Sequence, residues 1–238
     1  MFLGNRSKAM QAARKIEAKM PQRMKDDPFG LGESFRSQPM FTMVRFGMWD
    51  EALAEPQPNN RPAFMQGIWH YGRGMAYVHT DKVKQAGGEL AALQAQRKVV
   101  DAEPGYAVGF AAASALLTIA ENVLSAEIDA AEGHYDSALL KLEQAVRLED
   151  SLLYNEPPDW FLPARHTLGA VLLEAGRPNE AEVVFWEDLR RNPGNGYSLF
   201  GLWQALLVLG DEATADEMKR RFNAAWAGAD VALTSSRY

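Results

Sequence analysis

Two stretches of the chain set out apolar, small and polar positions in the same order. LGAVLLEAGRPNEAEVVFWEDLRRNP (168–193) and LWQALLVLGDEATADEMKRRF (202–222) each run as an apolar–small helix, then a glycine with polar residues. An alanine follows five positions after that glycine: Ala181 after Gly176, and Ala215 after Gly210. The same turn recurs at Gly133 with Ala138, Gly47 with Ala52 and Gly4 with Ala9, and in a non-glycine form at Asp81 with Ala86. The anchors thus stand at 4, 47, 81, 133, 176 and 210, at successive intervals of 43, 34, 52, 43 and 34. The pattern predicts helix pairs over 33–46 with 48–55, 62–79 with 82–99, 108–132 with 135–150, 160–175 with 178–191, and 196–209 with 212–227. No alternation of apolar and polar residues persists long enough to predict a strand.

Each recurring position has a physical reason. The glycine closes the first helix where the chain needs a left-handed turn or a close approach. The small alanine lets the second helix cross the first tightly. A bulky residue four positions later, Phe185 or Leu142, fills the space beside it. A proline at one fixed offset from the glycine ends the second helix: Pro193 counted from Gly176, and Pro21 counted from Gly4.

The shorter interval matches the tetratricopeptide repeat, whose period is about 34 residues. Residues 165–193 resemble that family best, with Leu168, Gly169, Leu172, Gly176, Ala181, Phe185 and Pro193 on its consensus positions. The resemblance implies an all-α fold, an α/α right-handed superhelix of about five and a half helix-turn-helix repeats over residues 1–238. Its units are a half repeat at 1–21, repeats at about 32–58, 61–99, 108–150, 160–193 and 196–227, and a tail at 228–238 that is extended or loosely docked. The intervals of 43 and 52 exceed the period, and their surplus belongs in the joints between repeats, where insertions cost little. The second repeat departs from the family by ending early at EPQP (55–58), and the last by carrying Trp203 where a small residue is usual. Blocks such as VRFGMWDEALAEPQP and EPPDWFLPARHTLGAVLLEAGR look like the C-terminal part of one group of long bacterial tetratricopeptide-repeat proteins of unsettled function. Residues 5–20 read as a second helix without its first, as in a fragment of a longer array. That edge would need a neighbour, a self-made cap or a second copy of the chain, so a homodimer through the half repeat is one expectation.

At EPPDW (156–160) the two prolines stop the preceding helix, Asp159 is placed to cap the next, and Trp160 falls in its first turn. A role for Asp159 and Trp160 at a groove edge is the alternative.

Composition narrows the function without naming it. Net charge is −6, which argues against nucleic acid as the main partner. The N-terminal stretch 1–25 is the basic exception, with Arg6, Lys8, Arg14, Lys15, Lys19, Arg23 and Lys25 against Glu17 alone, and reads as a solvated helix face. There is no cysteine, so thiol catalysis, disulfides and cysteine-held zinc are excluded and the compartment stays open. No signal peptide is evident, and the apolar run 105–120 is too short to span a membrane and reads as a buried helix.

Chemical motifs are weak. GLGESF (30–35) and GRGMAY (72–77) lack the third glycine and the strand of a dinucleotide fingerprint. His70, His79, His134 and His166 form no pair at helical spacing; His70 reads as a packing residue and His134 as exposed. Glu149, Asp150, Glu156 and Asp159 crowd one joint and read as a solvated acidic loop.

In the family the first helix of each repeat lines a concave face. Carried over position by position, the lining is Phe41, Arg45, Tyr71, Met75, His79, Glu127, His166, Glu174, Tyr197, Phe200 and Gln204. This mixed aromatic and polar surface suits a protein or peptide partner, without catalysis, metal or cofactor. The alternative is a filled groove, its aromatics serving as core. The runner-up function is an enzyme, or a metal- or small-ligand-binding protein, with a closed pocket around Arg45, His79, Arg165, His166 and Glu174.

Overall fold

The computed structural model describes residues 3–25, 27, 30–58 and 62–238, and is all-helical apart from one short hairpin. The expected unit limits at residues 1 and 61 lie outside the described residues. Helices α1 (Arg6–Lys19), α2 (Gln22–Lys25) and α3 (Leu31–Arg36) come first. Five helix pairs follow: α4 (Gln38–Arg45) with α5 (Trp49–Ala54), α6 (Ala63–Val78) with α7 (Val83–Asp101), α8 (Ala113–Ala131) with α9 (Tyr135–Asp150), α10 (Ala164–Glu174) with α11 (Pro178–Arg191), and α12 (Gly196–Leu209) with α13 (Glu212–Ala225). Consecutive helices pack on one another along the chain.

All six anchors take the left-handed backbone, with φ of 66° at Gly4, 59° at Gly47, 58° at Asp81, 79° at Gly133, 70° at Gly176 and 78° at Gly210. The five turns inside pairs close alike. The residue after the anchor donates its N–H to the carbonyl five positions back: Met48 to Met43 at 2.9 Å, Lys82 to Tyr77, His134 to Asp129 and Arg177 to Leu172 at 2.8 Å, and Asp211 to Leu206 at 3.1 Å. The anchor itself donates three positions back, as Gly176 does to Leu173 at 3.1 Å. Two carbonyls that the helix end would orphan are thereby bonded.

Ala52, Ala86, Ala138, Ala181 and Ala215, each five positions after its anchor, are 0% exposed. Phe185 of α11 shows how small and large positions complement each other. An added Cβ at Gly169 of α10 or Gly201 of α12 would come within 2.3 or 2.2 Å of its ring, so two glycines make its slot. Gly72 does the same for Met40, and Gly74 for Leu124.

Three expectations need correction. Residues 107–112 are not helical: β1 (Ala107–Val108) and β2 (Ala111–Ala112) pair antiparallel, and α8 starts only at Ala113. Asp159 does not cap a helix. Its carboxylate accepts from the Phe110 N–H of that hairpin at 3.1 Å and from the Asn155 amide at 2.8 Å. Trp160 is not in a first turn either, because α10 starts at Ala164, behind Pro163. The Trp160 ring is buried edge-on against Phe41 at 5.4 Å and Tyr71 at 5.7 Å, and its indole N–H donates to the Leu162 carbonyl at 2.5 Å. EPPDW therefore anchors a joint to the core.

The ends of the described chain meet. The Asp230 carboxylate accepts from the Arg6 and Ser7 N–H groups at 2.6 and 2.9 Å, at the start of α1. The Asp230 N–H donates to the Gly4 carbonyl at 3.1 Å, and the Asn5 amide to the Gly228 carbonyl at 3.2 Å. Residues 226–230 thus cover part of the edge expected to lie open. No helix among the described residues is long and apolar enough to cross a membrane.

Candidate functional site

The residues expected to line the concave face fall into three groups. Phe41, Arg45, Tyr71, Met75, His166 and Tyr197 are buried within the packed layer where α4, α6, α10 and α12 face one another. His79, Glu127 and Glu174 stand together at the ends of α6, α8 and α10. Phe200 and Gln204 lie apart and half-buried on α12, where the Phe200 ring meets Trp203 at 5.7 Å and Phe222 at 5.4 Å.

The first group is a closed polar network. Arg45 is 1% exposed, and its Nη1 lies 2.9 Å from His166 Nδ1. Its guanidinium also stacks 4.3 Å above the Tyr197 ring. His166 Nε2 faces Asp188 Oδ2 at 3.3 Å, and the same oxygen accepts from Asn195 at 2.8 Å and Ser198 at 2.6 Å. Burial holds His166 below the usual imidazole range against the pull of Asp188. A neutral ring that accepts from Arg45 at Nδ1 and donates to Asp188 from Nε2 satisfies those two contacts, while the Asn195 amide nitrogen also lies 2.6 Å from Nε2. Burial raises the Asp188 carboxyl, but His166, Ser198 and Asn192 outweigh it and bring it down to about 2. Serine, histidine and aspartate meet here, yet Ser198 bonds the carboxylate and not the imidazole, unlike a nucleophile–base pair. The gap beside Arg45 and His166 is about 10 Å³, at most one water.

The second group holds a segment of the chain itself. Arg237 sets its guanidinium between two carboxylates, with Nη1 donating to Glu127 Oε2 and Nη2 to Glu174 Oε1. Tyr238 places its hydroxyl 2.8 Å from His79 Nδ1, and its ring packs edge-on to Trp49 at 5.0 Å. Trp49 in turn stacks on the His79 ring at 4.8 Å. Ser236 donates to the His166 carbonyl at 3.0 Å, which ties the segment to the layer below. Burial, aided by Arg237, holds His79 down at about 3, so its imidazole is neutral beside the guanidinium. The tail's inner end is thus docked, not loose. Its docking was not readable from DVALTSSRY, which has no periodicity; the cue was the pair of acids at inward positions with no basic residue assigned to them.

The five residues of the alternative pocket do not form one cluster. Arg45 and His166 belong to the closed network, and His79 and Glu174 to the cleft around Arg237. Arg165 instead forms a two-pronged ion pair with Asp150 at 2.7 and 2.6 Å. Among the described residues no three His, Cys, Asp or Glu side chains are placed to share a metal ion. The acids of the 149–159 joint also go separate ways: Glu149 accepts from the Ala164 N–H at 2.8 Å, Asp150 from Arg165 and Arg191, and Glu156 from the Tyr154 hydroxyl. His70 bonds Glu89 at 2.6 Å, within a cluster completed by Arg73. Asp188, Asn195 and Ser198 were not anticipated, since nothing in their spacing links two neighbouring helices to one imidazole.

No family model, curated protein or solved structure matches this chain.

Proposed function

We propose that the chain is a non-enzymatic interaction scaffold, a tetratricopeptide-like array whose inner face receives an extended segment of a protein partner. One observation carries this reading: a non-helical segment, Ser235–Tyr238, bent at its start, already lies against His79, Glu127 and Glu174, held by side-chain contacts. These are three of the inward positions that the repeat assigns. Main features of peptide recognition are present there, namely an aromatic anchor, a charge clamp and a rigid helical frame. The buried polar layer beneath supports the floor, and its gap is too small for a substrate.

The test is a screen of short peptides against the full chain. Binders are expected with dissociation constants on the order of micromolar, about −8 kcal/mol. Ala131→Trp adds bulk to the cleft lining one turn beyond Glu127 while leaving both acids in the sequence, and should weaken those binders about tenfold or more. Binders indifferent to Ala131→Trp, or none at all, would remove the groove reading.

A further inference from the structure

We propose that the cleft between α6, α8 and α10 recognises an arginine directly followed by an aromatic residue, and that Arg237–Tyr238 is its resident, exchangeable ligand. The inference rests on the scaffold reading above and adds to it the chemistry of the partner and the means of control.

Two carboxylates from different helices converge on one guanidinium, and one of them, Glu127, is buried. Arginine is suited to such a place: its planar fork reaches both acids at once, whereas an ammonium would offer a single point of charge. The next position is read separately. Trp49 and His79 form a stacked wall, the Tyr238 ring meets it edge-on, and the neutral imidazole bonds the hydroxyl. Two adjacent residues of one non-helical segment are therefore selected by unlike pockets side by side.

Three features mark the resident as replaceable. It leaves about 360 Å³ open beside it, lined by Val78, Asp81, Ala130 and Ala131 as well as the two acids. It leaves Glu127 Oε1 buried without a hydrogen-bond partner, an acceptor that a further donor would satisfy. The span that carries it is thinly held. The Trp226 indole donates to the Val231 carbonyl at 2.8 Å, and the next side-chain anchor is Ser236. A partner segment with the same pair, and with a donor or bulk to fill the remaining space, would outcompete it. Release of residues 232–238 would leave the tie at Asp230 in place.

The experiment uses the full chain carrying Arg237→Ala and Tyr238→Ala, which empties the cleft. The probe is a fluorescein-labelled peptide of residues 230–238, followed by anisotropy. The emptied chain should bind it about tenfold or more tightly than the intact chain, whose own segment competes. The same peptide with alanine for its arginine should bind about tenfold or more weakly. Equal binding to both chains, or none to an emptied chain of native circular dichroism, would overturn the proposal. Should the double variant lose its fold, Arg237→Lys in the intact chain serves instead. It keeps the charge and loses the fork, so it should admit the probe more readily than the unaltered chain, and unchanged binding would count against exchange. Library binders that depend on the cleft but lack the arginine–aromatic pair would leave the scaffold reading standing and remove this one.

Discussion

At Asp81 the backbone turns left-handed, φ 58°, where every other pair closes with glycine. A side chain in that conformation costs about 1–2 kcal/mol, somewhat less for aspartate, which tolerates it best. Asp81→Gly should therefore raise stability by about 1 kcal/mol, read as a higher urea midpoint at unchanged slope. An unchanged or lower midpoint would mean that the side chain itself holds the turn. Turns of this kind were legible because handedness and residue type are linked at one position: a glycine, or an aspartate in its place, with an alanine five positions on. The Arg45–His166–Asp188 network was legible only in part: Arg45 and His166 fall on expected inner-face positions, whereas Asp188, on the second helix of a pair, alone reads as an ordinary helix residue.

Among the elements, α10 shows how a helix start can be misplaced by its surroundings. Capping signals at Asp159 pointed to a start near 160, yet the residue before a proline favours extended backbone, and Pro163 defers the helix to Ala164. The cap is supplied from α9 instead, by the Glu149 carboxylate on the Ala164 N–H. Burial, only partly offset by that bond and by Arg165, pushes the Glu149 carboxyl up to about 7 from an ordinary 4.5. Between those values the folded protein retains a proton that the unfolded chain has released. Stability from this site therefore falls as pH rises from about 4.5 to 7. Glu149→Gln keeps an acceptor and removes the titration. The stability of the unaltered chain relative to this variant should fall steadily across that window in urea unfolding, and a constant difference would contradict the assignment. The hairpin at 107–112 escaped detection for a related reason: two residues per strand are too few to show alternation, and its loop is held from elsewhere, by Asp159.

For the molecule as a whole, the contact between residues 4–7 and 228–230 joins positions more than two hundred apart in sequence. No periodicity could announce it. Asp230 is its centre: its carboxyl is brought down to about 2, chiefly by the hydrogen bond to Ser7, so the charge that caps α1 persists through ordinary pH. In Asp230→Ala the amides of Arg6 and Ser7 should exchange with deuterium faster, while those of α10 to α13 keep their protection. Uniformly faster exchange would instead mean that the whole array depends on this tie. The array itself has a different logic. Each turn is closed by bonds within a handful of consecutive residues. The surplus between Gly133 and Gly176 falls in the joint 151–163, whereas that between Asp81 and Gly133 is shared by the joint 102–112 and by α7 and α8, which run to 19 residues each. A gene encoding such a chain can gain or lose a helix pair by duplication or deletion at a joint, or lengthen a joint, without rewriting the grammar of the pairs that remain.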